Sequence, residues 1–182
     1  MASKNKRLLQ RVRVPLGFVL SVAFLVFAQP KPLSLLIGGA IAVAGLLIRA
    51  WASGHIRKNQ TLAVSGPYAY TRNPLYLGSF ILGVGFTIAA GLWWLALLFV
   101  ILFLGIYLPV MRVEAEELTQ IFGADYEKYA ARVPLFFPRP AANEKSETNF
   151  DFALYLRYRE YQAALGLIFA WTVLLVKAMF LR

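Results

Sequence analysis

The chain alternates apolar runs with short polar connections, and five of the runs are candidates for membrane-spanning helices. A helix needs about 20 apolar residues to cross a bilayer, or about 17 at the short end. The first and third runs are short by this measure. Prolines at 30 and 32 and Gly91 separate neighbouring runs, because neither residue type favours a continuing helix. The pattern predicts an all-α integral membrane protein with about five spans, at 14–28, 33–52, 75–90, 92–111 and 163–181.

Composition supports a membrane protein and argues against several other classes. Hydrophobic residues make up 59% of the chain and charged residues 15%, and mean hydropathy is +0.61. Soluble domains average about 25% charged residues. The absence of cysteine excludes a cysteine nucleophile, an iron–sulfur cluster and a disulfide scaffold. With one histidine, a zinc site is not expected. We therefore predict no metal.

The distribution of charge predicts an orientation in the membrane. The formal net charge is +10, and all nine acidic residues lie at or after Glu114. Basic residues cluster at the ends of apolar runs, which is typical of contact with lipid headgroups and of cytoplasmic loops, and not of nucleic-acid binding. The N-terminus and the loops after the second and fourth runs are thus predicted to be cytoplasmic, and the C-terminus outside, in the cell inner or plasma membrane. Alternatively, the first run is a cleavable signal peptide.

Small residues recur in the second and third runs. Gly38, Gly39, Ala42 and Gly45 in the second run favour close helix packing. In the third run, Gly83 and Gly85 leave two interpretations open, packing or space for a ligand.

The first polar stretch, 51–76, is denser in polar and aromatic groups than a connecting loop needs. It contains GPYAYTRNPLYLG, from Gly66 to Gly78, with three tyrosines, an arginine and an asparagine within nine residues. Pro74 suits the first turn of the third helix. Interfacial tyrosines often form an aromatic belt. This cluster, however, favours a ligand site.

The second polar stretch, 112–138, reads RVEAEELTQIFGADYEKYAARVPLFFP. Its spacing predicts a helix that Gly123 ends, then a short helix that Pro134 stops. Carboxylates one turn beyond a span need water, a basic partner or a cationic ligand. Periodicity by itself favours a solvated helix here. Further on, residues 151–161 are expected to form an interfacial helix that leads into the last span.

Taken together, the two motifs resemble the isoprenylcysteine carboxyl methyltransferase family, within a wider group of membrane methyltransferases that includes phospholipid N-methyltransferases. The resemblance spans roughly 51–138, in a chain that we expect to be one domain over 1–182, with a C-terminal segment at 150–182. It implies an S-adenosylmethionine-dependent methyltransferase without a Rossmann sheet. It also implies a cytoplasmic cofactor pocket, formed by the loops after the second and fourth helices, and a lipophilic acceptor that enters from the bilayer.

The resemblance also implies site residues. The family pattern R-H-P-x-Y-x-G matches Arg72, Asn73, Pro74, Tyr76 and Gly78, so an asparagine replaces the histidine. An amide can donate and accept hydrogen bonds but does not titrate near neutrality. Asn73 can therefore orient the cofactor, as the family histidine would, but it is not expected to act as an acid or base.

The acidic position of the family has more than one match in this sequence. Glu114 is favoured and Glu117 is second, while the literal pair Glu116–Glu117 stays open. A glutamate would hold the cofactor's ammonium, Arg72 or Arg132 its carboxylate, and tyrosine rings its adenine or sulfonium. The expected catalytic residues are Arg72, Asn73 and Arg132. The expected cofactor-binding residues are Tyr68, Arg72, Asn73, Pro74, Tyr76, Gly78, Glu114, Glu117 and Tyr129.

An isoprenylcysteine-type carboxylate is the first choice of acceptor, because it is ionised at neutral pH and needs no general base. The alternatives are N- or O-methylation of a phospholipid or another lipid, then a membrane NADPH-dependent reductase, then a non-catalytic membrane module that binds anionic lipid.

Overall fold

A computed structural model describes residues 2–57, 61–140 and 149–180, with side chains from Pro15 onward. The described residues form helices and connecting turns without a β-strand, which confirms the all-α prediction. The basic side chains of the N-terminus lie outside the described residues, as does Lys58. The helices are α1 (Ala2–Phe27), α2 (Pro32–Ser53), α3 (Pro74–Ala90), α4 (Trp93–Leu102), α5 (Leu108–Phe122), α6 (Ala124–Arg132), α7 (Phe152–Arg157) and α8 (Tyr161–Phe180).

Three helices within the described residues are long and apolar enough to cross a membrane: Pro32–Ser53, Trp93–Phe122 and Tyr161–Phe180. Two shorter apolar helices, Pro15–Phe27 and Pro74–Ala90, coincide with the predicted runs that are short. The third of the long helices ends beside α1, where Lys177 Nζ donates hydrogen bonds to the carbonyl oxygens of Leu25, at 3.2 Å, and of Val26.

The fourth predicted span extends further than its apolar run. One continuous helix covers Trp93–Phe122 and carries the acidic motif on its last turns. Residues Phe103–Tyr107 within it form a π-helical segment. Pro109 explains this segment, because proline has no N–H to offer the carbonyl of Gly105 and its ring clashes there. The resulting change in helical phase sets the direction of Tyr107.

Helices α2 and α3 pack at close range through glycines. A methyl group added to Gly45 would lie 2.5 Å from the backbone nitrogen of Leu82 and 2.6 Å from the carbonyl oxygen of Gly78. One added to Gly85 would lie 2.5 Å from the carbonyl oxygen of Gly38. The packing interpretation is confirmed for these glycines of both helices. This contact holds the start of α3, and hence the first motif, beside the end of α2.

The predicted helix at 151–161 is shorter in the structure and turns before the last span. It comprises Phe152–Arg157, and Asp151 caps it by accepting a hydrogen bond from the Ala153 backbone nitrogen at 2.9 Å. The backbone amide of Asp151 in turn donates to the carbonyl of Gly54 at 3.0 Å. This contact joins the C-terminal segment to the loop after α2.

Candidate active site

Four hydrogen bonds connect residues 70–73 of the first polar stretch with residues 134–139 at the end of the second. We call this set of hydrogen bonds the clasp. Two are backbone contacts: the Arg72 amide donates to Pro134 O at 2.9 Å, and the Arg139 amide donates to Tyr70 O at 3.1 Å. Two come from side chains: Thr71 Oγ1 donates to Phe136 O at 2.8 Å, and Asn73 Nδ2 donates to Leu135 O at 2.9 Å. Segments more than 60 residues apart in sequence therefore form one structural unit.

Tyrosine side chains add contacts between the same elements. The Tyr129 hydroxyl donates to the carbonyl of Tyr68 at 2.7 Å. Arg72 Nη1 donates to the Tyr126 hydroxyl at 3.2 Å, and its guanidinium carbon lies 5.9 Å from the centre of that ring. The Tyr76 hydroxyl donates to Glu114 Oε1 at 2.7 Å. The last contact ties the start of α3 to the acidic motif of α5.

These elements enclose a cavity of about 600 Å³, which we call the polar cavity. Its volume lies within the range of small-molecule sites, about 300 to 1,000 Å³. Eight of the residues expected from the sequence line it, namely Tyr68, Arg72, Asn73, Pro74, Tyr76, Glu114, Glu117 and Tyr129.

Two expected residues do not line the polar cavity. Arg132 is exposed at the end of α6, where its Nε donates to the carbonyl of Lys128 at 3.4 Å. Gly78 is buried against Gly45 in the α2–α3 contact. Of the acidic candidates, Glu114 and Glu117 line the cavity and Glu116 does not; Glu114 is half-buried, and Glu116 and Glu117 are exposed.

Among the residues that the structure describes, the charges that line the polar cavity balance. Three guanidinium groups, of Arg49, Arg57 and Arg72, stand against three carboxylates, of Glu114, Glu117 and Glu160. A zwitterionic ligand with separate positive and negative groups finds partners of both signs here.

Three buried polar groups at this cavity have no hydrogen-bond partner among the described residues: Arg49 Nε, the Tyr68 hydroxyl and Arg72 Nε. Tyr68 is only 6% exposed. A buried polar group without a partner is costly, so these atoms mark places where a ligand supplies hydrogen bonds.

Burial raises the pKa of the Tyr68 hydroxyl, and neighbouring Tyr129 and the carboxylates raise that pKa further. Burial and the nearby Tyr126 likewise raise the pKa of Tyr129. Both hydroxyls are therefore protonated at neutral pH. The Tyr68 hydroxyl can therefore donate a hydrogen bond into the cavity, whereas the Tyr129 proton is already donated to the carbonyl of Tyr68. Neither hydroxyl is a general base.

A second cavity of about 540 Å³, the apolar cavity, lies among the spans. Four residues line both cavities, and we call this set the junction: Gly17, Arg49, Ser79 and Tyr107. At the junction, Arg49 Nη2 binds Glu160 at 2.7 Å and its Nη1 donates to Ser79 Oγ.

Sequence reasoning missed the junction. Arg49 carried a usable signal, since an ionisable residue near the end of an apolar helix marks a functional site by default. Tyr107 reaches the junction because of the π-helical segment. Glu160 reaches Arg49, a residue of the junction, because of a turn between α7 and α8. The local sequence indicates neither. Gly83 packs against the ring of Phe99, as the packing interpretation predicts, and it also lines the apolar cavity; its role in making space for a ligand stays a prediction.

Comparison with known proteins supports a methyltransferase. Residues 33–125 match the model of the phospholipid methyltransferase family, a stretch that covers α2 to α5 and the first motif. The protein-S-isoprenylcysteine O-methyltransferase of Schizosaccharomyces pombe is 30% identical over 128 residues, which cover 67% of this chain and 54% of that protein.

Two bacterial relatives have names of a different kind. The cobalt-zinc-cadmium resistance protein CzcN of Cupriavidus metallidurans is 38% identical over 108 residues, 57% of this chain and 47% of that protein. The nickel-cobalt-cadmium resistance protein NccN of Alcaligenes xylosoxydans is 34% identical over 106 residues, 57% of this chain and 48% of that protein. The chain spans about half the length of these curated relatives. No solved structure matches it.

The family match covers half of the chain and includes the helices and the first motif that build the polar cavity. The protein is an integral membrane protein of the phospholipid methyltransferase family.

Proposed function

We propose that the protein transfers a methyl group from S-adenosylmethionine to a lipophilic acceptor that enters from the bilayer. The observation that carries the proposal is the junction, where a charge-balanced polar cavity meets an apolar cavity between spans. A polar methyl donor binds in the polar cavity and a lipophilic acceptor binds in the apolar cavity, so methyl transfer between them requires that the two cavities meet.

The polar cavity suits the donor. S-adenosylmethionine carries an ammonium, a carboxylate, a sulfonium and an adenine, and it supplies an activated methyl group. Glu114 and Glu117 suit the ammonium, and Arg72 suits the carboxylate, with its unpartnered Nε as an additional donor. Tyr68 offers a protonated hydroxyl to the adenine or to a sugar oxygen.

The apolar cavity suits a prenyl or acyl chain. Its walls come from α1, α3, the helix 93–122 and α8, and they include Phe24, Phe86, Phe99 and Phe103. An isoprenylcysteine-type carboxylate is the acceptor that we favour, since its chain matches the apolar walls and its anion matches the guanidinium of Arg49 at the junction. N- or O-methylation of a phospholipid or another lipid is the second candidate.

We further propose that the polar cavity faces the cytoplasm, that the N-terminus is cytoplasmic and that the C-terminus lies outside. Positive loop charges support this orientation. A cytoplasm-active reporter fused at the C-terminus should be silent, and a periplasm-active one should be active. The reverse result would overturn the orientation.

Radiolabelled methyl transfer by purified protein tests the function. The panel contains an S-prenylated N-acetylcysteine, phospholipids and a quinol-like lipid. Calorimetry with S-adenosylmethionine and with NADPH separates a methyltransferase from a reductase, and saturable binding of neither would leave a non-catalytic membrane module.

The acidic motif offers a matched pair of variants. Glu114→Gln should weaken S-adenosylmethionine binding about tenfold, as expected for the loss of a charge-assisted contact of about 1.5 kcal/mol. Glu116→Gln, on the exposed side of the same helix, is the control and should leave binding unchanged. Equal effects of the two changes would contradict the proposed donor site.

A further inference from the structure

Glu160 holds a guanidinium at the point where the two cavities meet. Its carboxylate oxygens lie 2.9 and 2.7 Å from Arg49 Nη2, while Arg49 Nη1 donates to Ser79 Oγ. The side chains of Arg49 and Glu160 are 23% and 14% exposed. Arg49 is therefore a binding site for a carboxylate at the junction, and the carboxylate of Glu160 occupies it.

Glu160 fills this site incompletely. Arginine binds a carboxylate best through two nitrogens at once, in a fork that gives two parallel hydrogen bonds. Both Glu160 oxygens accept hydrogen bonds from the same nitrogen, Arg49 Nη2, and Arg49 Nε is buried without a partner among the described residues. A second carboxylate that approaches from the apolar cavity can accept hydrogen bonds from two guanidinium nitrogens of Arg49 at once. It can therefore bind Arg49 better than Glu160 does.

The chain presents Glu160 by an unusual turn. Arg159, just before it, has a φ of 55°, a conformation that residues other than glycine rarely adopt. The turn lies between α7 and α8, beyond the stretch 33–125 that matches the family model. A segment outside the family match thus completes the lining of the polar cavity.

We infer that Glu160 is a resident competitor for the acceptor's carboxylate, which it mimics in the free enzyme. The inference rests on the proposed function and names its acceptor class, a lipophilic carboxylate. On binding, the acceptor's carboxylate takes Arg49 and Glu160 moves toward water. Arg49 stays paired throughout, which avoids the cost of an unpaired, partly buried charge.

The chemistry of the product then favours release. An oxygen of the acceptor's carboxylate forms a bond to the methyl carbon, while the methyl–sulfur bond breaks and its electron pair stays on sulfur. No proton moves. The products are a neutral methyl ester and a neutral thioether. The ester has lost the charge that held it to Arg49, so Glu160 returns to the guanidinium and displaces it.

Steady-state kinetics with the S-prenylated N-acetylcysteine and its methyl ester test the inference. Glu160→Gln keeps the shape of the side chain but removes its charge. It should lower the KM for the carboxylate about fivefold, the factor that corresponds to a partly exposed ion pair. Inhibition by the methyl ester should become stronger by a similar factor. Glu127→Gln, an exposed change on α6, is the control for a lost carboxylate.

The outcomes separate the inference from the function. If the wild-type protein methylates the carboxylate while Glu160→Gln leaves KM unchanged or raised, the inference is wrong and the function stands. If the wild-type protein methylates only amines or hydroxyls, the inference is wrong and the methyltransferase assignment stands. If it binds no S-adenosylmethionine and transfers nothing, both fail. Should Glu160→Gln not fold, Glu160→Asp, too short for the same contact, must lower KM in the same direction.

Discussion

Replacing Asn73 with alanine tests whether the clasp, and not acid–base chemistry, explains this position. The Asn73 amide donates to the carbonyl of Leu135 at 2.9 Å, across two segments far apart in sequence. Alanine removes this donor and leaves the Leu135 carbonyl with only the long contact from Thr71 Oγ1, at 3.5 Å. The bonds from the Arg72 amide and Thr71 Oγ1 remain, so we expect the clasp to loosen and not to open.

The size of the effect follows from these contacts. A single hydrogen bond contributes about 0.5 to 1.5 kcal/mol net, and a buried acceptor left unsatisfied costs about 1 to 3 kcal/mol. The site is half-buried, so the lower part of that range applies, about 1 to 2 kcal/mol. For a chain of this length, that corresponds to a fall in melting temperature of about 2 to 8 °C. S-adenosylmethionine binding should weaken as well, because Asn73 and its neighbours line the polar cavity.

Thermal denaturation in detergent, with and without S-adenosylmethionine, measures both effects. Asn73→Asp should behave like alanine or worse, since an ionised carboxylate cannot donate to a carbonyl. Asn73→His offers an N–H and should recover part of the stability. The pH profile of transfer by the wild-type protein should contain no ionisation from this position. A variant Asn73→Ala that melts like the wild type, yet has lost transfer, would refute the structural role and favour a direct one.

Other parts of the fold make further predictions. Gly45→Ala should prevent normal packing of α2 on α3, because the added methyl would lie 2.5 Å from backbone, whereas Gly105→Ala has open space and should express and melt normally by size-exclusion chromatography and denaturation. Lys177→Met should lower the melting temperature by about 2 to 8 °C, since the last carbonyls of α1 lose a charged donor worth about 1 to 2 kcal/mol. The raised pKa of Tyr129 means that the folded state keeps a proton that the unfolded state loses near pH 10, so its contribution to stability is complete below pH 10 and falls above it. Tyr129→Phe should be less stable than the wild type at pH 7, because it lacks the hydrogen bond to Tyr68, but it should lose less stability between pH 10 and 11. Melting curves of both proteins at each pH measure this. An equal loss of stability in the two proteins between pH 10 and 11 would contradict the linkage.

The sequence by itself determined the helical architecture and most of the polar cavity. Apolar runs of fixed length allow little besides helices in a bilayer, because lipid offers backbone groups no hydrogen bonds. Gly123 and Pro134 predicted where the two helices of the second polar stretch end, and α5 ends at Phe122 and α6 at Arg132. The resemblance of the two motifs to a known family pointed to Arg72, Asn73 and Glu114, whereas periodicity by itself favoured a solvated helix for the acidic motif.

Tertiary structure decided which of these residues share a cavity and what completes it. Arg132 belongs to the same motif as Tyr129, but it is the last residue of α6 and is exposed, whereas Tyr129 is buried and lines the cavity. Arg49, Tyr107 and Glu160 come together at the junction from segments more than 50 residues apart. No local pattern encodes that meeting. It depends on the glycine contact of α2 with α3, on a π-helical segment caused by a proline, and on a left-handed turn at Arg159.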